Sequence, residues 1–563
     1  MNASRLRPRS IARMTKLISV ELITSCCRSG LKAVGVGLIT LATLLPLPLA
    51  YGQYSSNLEG VVTDPTGAVI PNATVEMTNS ATQVTNKQTT DKGGNFRFNS
   101  VAPGDYEILA SAEGFNSTRV KVTLLTGQII NVPVTLSLAG TRQTVEVTGQ
   151  VTLLDTADSR QQMTIESQEL HSLPLQGHNF LGLAAVTPGV TGLGVLVGSS
   201  PGACPSGLPS TIPDNFATEM PVEVSQGGKG EESNAFLLDG LDVTSNINGG
   251  VINMTPNPDS IQEMSVETND YGVEYGRSSA VLIKMTTKSG SGKYHGSAGD
   301  SFTDQHLWAR SQFTGPSYAP FLSNNFSGSV GGPIVPHHST YFFAAVEPLR
   351  STFSTGNQEY SFEDPQFTSW AAVNSPNTIG TSLLTKYPVH ASALGVSQTA
   401  QDIFPTTCAT SATLFIPCSL PMIDSGTYEA SPYRNALQWN VRIDTYIGKD
   451  RLYGNFYRMT HNDQSPNIRP AFDSTNRYTS NSLQVNDTHT FSPTTLNEGM
   501  FGFLRPEGIN NLSGPFSVPL ISVVGMSSGF GLGFAGGDFI QHNYRWRDVI
   551  IRLFSRQEHT YTE

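Results

Sequence analysis

Two cysteines close together in the chain, Cys408 and Cys418, are the strongest candidates for chemistry. In an oxidising compartment they are near enough to staple one loop with a disulfide. Cys204 stands alone in a Gly/Pro/Ser-rich stretch and reads as a free thiol. The other constellations fail on context. Gly198-Ser199-Ser200-Pro201-Gly202 fits G-x-S-x-G. A nucleophile elbow needs a strand before it and a helix after it, and Ala203-Cys204-Pro205-Ser206-Gly207 does not open a helix. Gly531-Leu532-Gly533-Phe534-Ala535-Gly536 fits G-x-G-x-x-G, but Gly537 and Asp538 follow and no βαβ unit surrounds it. It reads as a Gly/Phe-rich outer loop. None of the 11 histidines begins an H-x-x-E or H-E-x-x-H zinc motif. His337-His338 falls in a predicted turn with no third ligand nearby, and Asp239 and Asp242 read as turn-formers. The expectation is therefore a protein that is not an enzyme, with no catalytic, cofactor or metal site.

The elements around these residues point to an exported β-protein. The chain has 563 residues, 38% hydrophobic and 14% charged, with 53 Gly and 34 Pro. Aromatic and β-branched residues recur throughout, which separates it from disordered chains. Residues 1–52 hold seven Lys/Arg and one acid, Glu21, so of the formal charge of −11 the remainder carries −17. Such an acidic chain is a poor nucleic-acid binder, because that binding rests on phosphate neutralisation. Arg5, Arg7, Arg9, Arg13 and Lys16 precede an uncharged apolar run from Ala33 to Ala50. Ala50-Tyr51-Gly52 puts small residues at −3 and −1 before Gln53, as a signal peptide requires. No later run is long and apolar enough for a membrane helix, so a membrane location would have to use strands.

Residues 53–138 carry short alternating runs, Ala73–Met77, Asn95–Phe98 and Tyr106–Ala110. Asp64-Pro65-Thr66-Gly67, Asp91-Lys92-Gly93-Gly94-Asn95 and Pro103-Gly104-Asp105 are turn chemistry between them. That spacing predicts a small β-sandwich. GVVTDPTGAVIPNATVEM and TTDKGGNFRFNSVAPGDYEILASAEGF resemble the carboxypeptidase regulatory-like domain. The resemblance implies a transthyretin-like, carbohydrate-binding-like sandwich. It implies saccharide binding only at the level of the superfamily.

Residues 141–290 resemble the entry segment and plug of Oar-like TonB-dependent receptors. Gln143-Thr144-Val145-Glu146-Val147-Thr148-Gly149 looks like a TonB box, the run that pairs with TonB by strand addition. LHSLPLQGHNFLGLAAVTPGV (170–190) resembles the plug entrance. FLLDGLDV (236–243) resembles the central plug turn, with Leu238, Asp239 and Gly240 as its motif. SIQEMSVETNDYGVEYGRSSAVLIKMTTKSG (260–290) resembles the closing segment, with Tyr271-Gly272 and Tyr275-Gly276 in its turn. The Gly/Pro/Ser stretch 191–233 reads as a long plug loop.

Residues 291–563 read as barrel strands. Leu437, Trp439, Val441, Ile443 and Ile447 alternate with Gln438, Asn440, Arg442 and Asp444, the pattern of lipid outside and polar lumen inside. Short turns at 336–339, 448–450 and 492–494 alternate with long connections at 303–323, 349–433, 461–479 and 506–540. That asymmetry suits an outer-membrane barrel. About eight strands are expected, near 294–302, 324–335, 340–348, 435–447, 451–460, 480–491, 495–505 and 541–552. NNFSGSVGGPIV, STYFFAAVEPLR, WNVRIDTYIGKDRLYGNFYR and NDTHTFSPTTLNEGMFGF again resemble the Oar-like family. The polar run 557–563 lacks the family's final aromatic strand, so a truncated, frameshifted or split product with an unclosed barrel is expected.

The expected architecture is thus mainly β: signal peptide 1–52, sandwich 53–138, TonB box and plug 141–290, and a partial outer-membrane β-barrel 291–563. The resemblance implies a TonB-dependent receptor in the outer membrane, with sandwich and plug on the periplasmic side. Its expected partners are the periplasmic TonB complex, outer-membrane lipid and a carbohydrate or other nutrient. The alternative is an envelope adhesion or structural protein that keeps the architecture without transport.

Overall fold

A computed structural model of the chain describes residues 56–138, 145–147, 161–173, 176–195, 215–216, 220–269, 279–307, 321–335, 339–354, 357–408, 416–492, 494–512, 518–527, 529–531 and 538–552. The leader reading of 1–52 lies outside the described residues. So do Gln143, Thr144, Thr148, Gly149, Cys204, the run 198–202, most of 531–536, Tyr271 to Gly276, His337-His338 and 557–563.

The first module is a sandwich of two sheets. Its strands are β1 (Ser56–Thr63), β2 (Thr74–Asn79), β3 (Thr85–Thr89), β4 (Asn95–Val101), β5 (Gly104–Ser111), β6 (Thr118–Leu124), β7 (Ile129–Asn131) and β8 (Val134–Thr135). β9 (Val145–Val147) joins from the following segment. One sheet runs β4-β1-β7 with β8 also on β1; the other runs β3-β2-β5-β6-β9. Alternation drives the packing: every second residue of β1 is buried, and Leu58, Met77, Phe96, Phe98, Ile108, Val122 and Leu124 meet in one apolar core. Asp64 and Asp91 make the turns, each carboxylate accepting from backbone N–H groups two and four residues on.

The central module holds β10 (Gln161–Glu166), helix α1 (Ser167–Ser172), β11 (Val190–Val195), β12 (Met220–Gln226), β13 (Ala235–Leu238), β14 (Leu241–Asp242), β15 (Val251–Ile252), β16 (Ile261–Asn269) and β17 (Leu282–Thr287). A five-stranded sheet runs β10-β16-β17-β13-β14 and a small one β11-β12-β15. β13 and β17 are buried along their whole length, the parallel pair at the heart of the module. Here the loop expected over 191–233 is corrected. β11 and β12 form an antiparallel ladder with a bulge between Gly192 and Gly194, and on β12 Val222 and Val224 alternate at strand period and are buried.

The third region is one antiparallel sheet of nine strands. It begins with β18 (His295–Asp304), β19 (Phe321–Pro333) and β20 (Thr340–Phe353). The chain then leaves it to build a small cap: β21 (Gln358–Glu363), α2 (Pro365–Asn374), α3 (Ile379–Lys386), β22 (Ser392–Thr399), α4 (Ala400–Ile403) and β23 (Pro421–Tyr428). It returns as β24 (Tyr433–Ile447), β25 (Asp450–Ser465), β26 (Ser474–Ser492), β27 (Thr495–Leu512), β28 (Asp538–Ile540) and β29 (Asn543–Arg552). The order is β18-β19-β20-β24-β25-β26-β27, with β28 and β29 both on β27.

Three sequence expectations change here. The strand expected near 541–552 is β29, and a further short strand, β28, stands at 538–540 at the end of the connection expected over 506–540, so among the described residues the sheet has nine strands where eight were expected. The connection 461–479 is mostly strand, since β25 and β26 pair from Asp450–His489 to Ser465–Ser474. Polar residues such as Asn462, Asp463, Asn476 and Arg477 hid that ladder from a pattern reading. The connection 349–433 is a folded subdomain, with a β21-β23-β22 sheet and three helices.

The faces of this sheet are inverted relative to a soluble protein. On β24, Gln438, Asn440, Arg442 and Asp444 are buried, while Leu437, Val441, Ile443 and Ile447 are exposed. Leu322, Phe326, Val346, Leu452, Val485, Trp546 and Ile550 extend the exposed apolar band. Buried polar and exposed apolar residues alternating along one strand are the signature of lipid outside and a polar interior. Among the described residues no helix is long and apolar enough to cross a membrane.

Candidate functional site: the central module against the strand wall

The motif Leu238-Asp239-Gly240 is the turn between β13 and β14. Asp239 has φ +47° and Gly240 φ +88°, so both central residues are left-handed, as a tight two-residue hairpin demands. Glycine takes that conformation freely and aspartate tolerates it. The turn brings the Asp239 carboxylate to the end of β17 and the wall. It accepts from the Thr287 backbone N–H (2.9 Å), the Thr287 hydroxyl (2.6 Å) and Asn455 Nδ2 (3.3 Å). Arg442 Nη1 lies 3.6 Å away.

Arg442 is the hub on the wall side. It forks onto Asp444 (Nε 2.9 Å, Nη2 2.8 Å) and donates to the Thr287 carbonyl (3.0 Å) and hydroxyl (2.7 Å). Its guanidinium carbon sits 4.1 Å from the Tyr453 ring centroid. Gln484 donates to the Asp239 carbonyl. One motif turn is therefore held by β24, β25 and β26 together. Gly502 on β27 lets the turn approach, since a Cβ there would lie 2.5 Å from Leu241 Cδ1. The expectation for Asp239 is thus extended: it forms the turn, and it also docks it. Asp242 pairs with Arg545 at 3.4 Å on β29.

A second polar contact is centred on Glu347 of β20, fully buried. It accepts from His178 Nδ1 (2.9 Å), Asn215 Nδ2 (2.9 and 2.8 Å) and Gln438 Nε2 (2.6 Å). Burial alone would lower the His178 pKa; the hydrogen bond and charge of Glu347 outweigh it and raise it. Within the module, Lys284 and Glu267 form a buried pair at 2.6 Å. His171 Nε2 meets Asp259 at 2.5 Å. Burial works to raise Asp259, but hydrogen bonds from His171 and Ser327 and the charges of His171 and Lys288 hold it down at about 2.

The sandwich rests at the short-turn end of the sheet. Tyr341 Oη donates to the Thr82 carbonyl (2.9 Å), and Ser100 Oγ to Glu498 (2.6 Å). The Thr126 N–H donates to Glu263 on β16 (2.7 Å), and its hydroxyl meets that of Thr286 on β17 (3.0 Å). Burial pushes the Glu263 carboxyl up to about 8, against the Thr126 N–H and with help from Glu166. A polar cavity of about 490 Å³ opens between the three regions, with Asp239, Arg442, Arg451 and Arg547 in its lining.

At the far end, Cys408 and Cys418 are joined in a disulfide inside the cap. The cap also turns on Arg469, which sequence reasoning passed over. This buried guanidinium forks onto Glu363 (2.8 and 2.5 Å), donates to the Tyr387 and Gly529 carbonyls, and lies 4.0 Å from the Phe530 ring centroid. It ties three connections together. Glu347, His178 and Arg469 share one reason for being missed: each partner is distant in the chain, and no local pattern marks it. Of the TonB-box candidate, Val145–Val147 is described, and it lies parallel to β6 in the register Thr118–Val145, Arg119–Glu146 and Val120–Val147. Among the described residues no His/Cys/Asp/Glu group of three could hold a metal.

Comparison with known proteins agrees with this arrangement. Residues 57–137 match the carboxypeptidase regulatory-like domain, and residues 286–542 an outer membrane beta barrel domain. The chain is 27% identical over 324 residues to the TonB-dependent transporter Oar of Myxococcus xanthus. That match covers 55% of this chain and 28% of the relative, so the chain spans well under half of the transporter it resembles. Among solved structures it is similar to the outer membrane transporter YddB of Escherichia coli, at 11% identity and a TM-score of 0.40, over 62% of this chain and 39% of that one. A ferric enterobactin receptor of Pseudomonas aeruginosa matches at 12% identity and a TM-score of 0.37, over 69% and 45% of the two chains. These relatives are transporters and receptors, not enzymes. With its regulatory-like sandwich, its buried L-D-G turn and the exposed apolar face of its long strands, the chain is similar, over the part it spans, to the TonB-dependent transporter Oar, and it carries a carboxypeptidase regulatory-like domain and an outer membrane beta barrel domain.

Proposed function

We propose that the chain takes part in TonB-energised capture of a nutrient at the outer membrane, with residues 141–290 as the movable plug and residues 53–138 as a periplasmic module. The observation that carries this reading is the Asp239 turn, docked on three wall strands through buried charge and hydrogen bonds. Polar contacts are directional, so a shift of the plug by an ångström or two breaks them and a return remakes them. Gln143 to Gly149 is the segment that TonB would hold, by adding a strand. A saccharide is the ligand class favoured by the carbohydrate-binding-like sandwich, since that fold recurs among saccharide binders.

The test is TonB-dependent uptake of labelled oligosaccharides by cells making the protein. Val145→Pro with Val147→Pro should abolish uptake, because proline removes the donors of a strand ladder. Binding that is retained without any TonB-dependent uptake would favour the adhesion alternative.

A further inference from the structure

The sandwich meets the wall across polar space, and one cation there is poorly matched. Arg451 of β25 lines two adjoining cavities of about 490 and 320 Å³, whose linings share Tyr446, Thr488, Asn79 and Ser100. Both volumes fall in the range of small-molecule sites, and every lining residue is described. Asp444 lies 4.0 Å from Arg451, but its two oxygens are already forked by Arg442. The Arg451 Nε is buried and, among the described residues, has no acceptor. Across the ladder Arg451 faces Thr488, and Asn486 stands two residues before Thr488 on the same face of β26. Asn486 is 7% exposed, borders the larger cavity, and its Nδ2 has no acceptor either. Opposite and diagonal partners on one sheet face lie roughly 5 and 7–8 Å apart, so one small group can meet guanidinium, hydroxyl and amide together. Arg547 of β29 approaches from the other side. It faces Met500, which faces Asn486, and its Nε also has no acceptor.

We propose that Arg451, Thr488 and Asn486 form a site for a small oxyanion, of the class of inorganic phosphate or sulfate, seated between the wall and the sandwich. The buried polar atoms of the two linings without a partner are all donors, the Nε of Arg451, the Nε of Arg547 and the Nδ2 of Asn486. Donors alone are satisfied by a group that only accepts, whereas a neutral polyol brings donors of its own. The carboxylates around the cavities are engaged or turned away. Asp239 is held by Thr287 and Asn455, Glu498 by Ser100 and Arg547, Asp105 by the Thr123 hydroxyl, and Asp450 by His489. Asp487 follows Leu483 and Val485, both exposed, onto the outer face. Lys449 adds a cation to the smaller cavity, donating to the Phe491 carbonyl. An oxyanion on Arg451 would lie against Asn79 and Ser100 of the sandwich and so join the two regions. The site depends neither on transport nor on the ligand class proposed above.

The probe is inorganic phosphate, titrated calorimetrically into the full-length chain in nonionic detergent at low ionic strength. Binding in the millimolar range or tighter, at about one site per chain, is expected. Arg451→Gln should weaken it by about tenfold or more, and Asn486→Leu by about threefold or more. Lys92→Gln, on an exposed sandwich turn outside both linings, should leave it within about twofold. No binding by the unaltered chain at about 50 mM phosphate, or equal binding by either cavity variant, overturns the site. A second measurement needs no variant. Phenylglyoxal modification of arginines, read by peptide mass, should slow about threefold or more at Arg451 when phosphate is present. Arg477, exposed on the outer face, should react at an unchanged rate. Equal reaction of Arg451 with and without phosphate overturns the proposal as well.

Discussion

The interior of the sandwich and the seat of the central module are built from opposite materials. The sandwich closes over aliphatic and aromatic side chains, Leu58, Val75, Phe96, Ile108 and Leu124 among them. The central module has an apolar centre too, continued by Leu349, Tyr457 and Leu504 of the wall. Yet its motif turn meets the wall through Asp239, Thr287, Arg442, Asn455 and Gln484. Apolar burial is non-directional and tolerates small displacements. A charge-assisted cluster is strong in one geometry and weak in the next. The first material suits a module that keeps its shape, and the second suits a part that is held and then released.

That contrast can be broken or sharpened by experiment. The largest effect is expected from Arg442→Ala. It leaves Asp239 and Asp444 buried without their common partner, at a cost of about 3–5 kcal/mol. Thermal denaturation in detergent, with limited proteolysis of the plug, measures it. A loss below about 1 kcal/mol, the range of exposed pairs, would mean that apolar packing and not the polar cluster seats the plug.

Ile108→Ala tests the other material. Ile108 is fully buried, and truncating it should cost the sandwich about 2–4 kcal/mol. Hydrogen exchange should show the loss across β5 and β6 while the Thr287 amide stays protected. Equal deprotection of both would show that the two regions unfold as one unit.

Reduction of Cys408–Cys418 is expected to act on the cap alone. Releasing a loop of separation 10 should cost about 2–3 kcal/mol on the chain-entropy model. Protease sensitivity confined to 404–420 is the expected readout, and melting of the wall strands would contradict it.

The smallest effect is on pH. The Glu263 carboxyl has a folded pKa of about 8, above its ordinary value of 4.5. Its contribution to the docked state is therefore complete below 4.5, and is lost as pH rises through about 8. His178, also raised, acts in the same sense above 6.5. Loosening of the sandwich from the plug between pH 5 and 9 should amount to about 1–2 kcal/mol, because water enters the seam as it opens. Exchange of the Thr126 amide with pH follows it, and Glu263→Gln should flatten the profile.

Much of this molecule was legible along the chain. The turns at Asp64, Asp91 and Gly104, the alternation on β24 and the hairpin at Leu238-Asp239-Gly240 follow from backbone preferences within a few residues. The inside and outside of the wall were readable from the same alternation, because successive strand residues point to opposite faces. What the chain left open were contacts between residues far apart in it. Nothing near Glu347 indicates His178, 169 residues away, and nothing near Arg469 indicates Glu363, 106 residues away. The cap, the length of β25 and β26, and the seat of β9 on β6 belong to the same class. Local periodicity is set by backbone geometry and survives in any fold. The choice of partner for a buried charge is made only when distant segments are brought together, and there desolvation makes an unpaired charge too costly to keep.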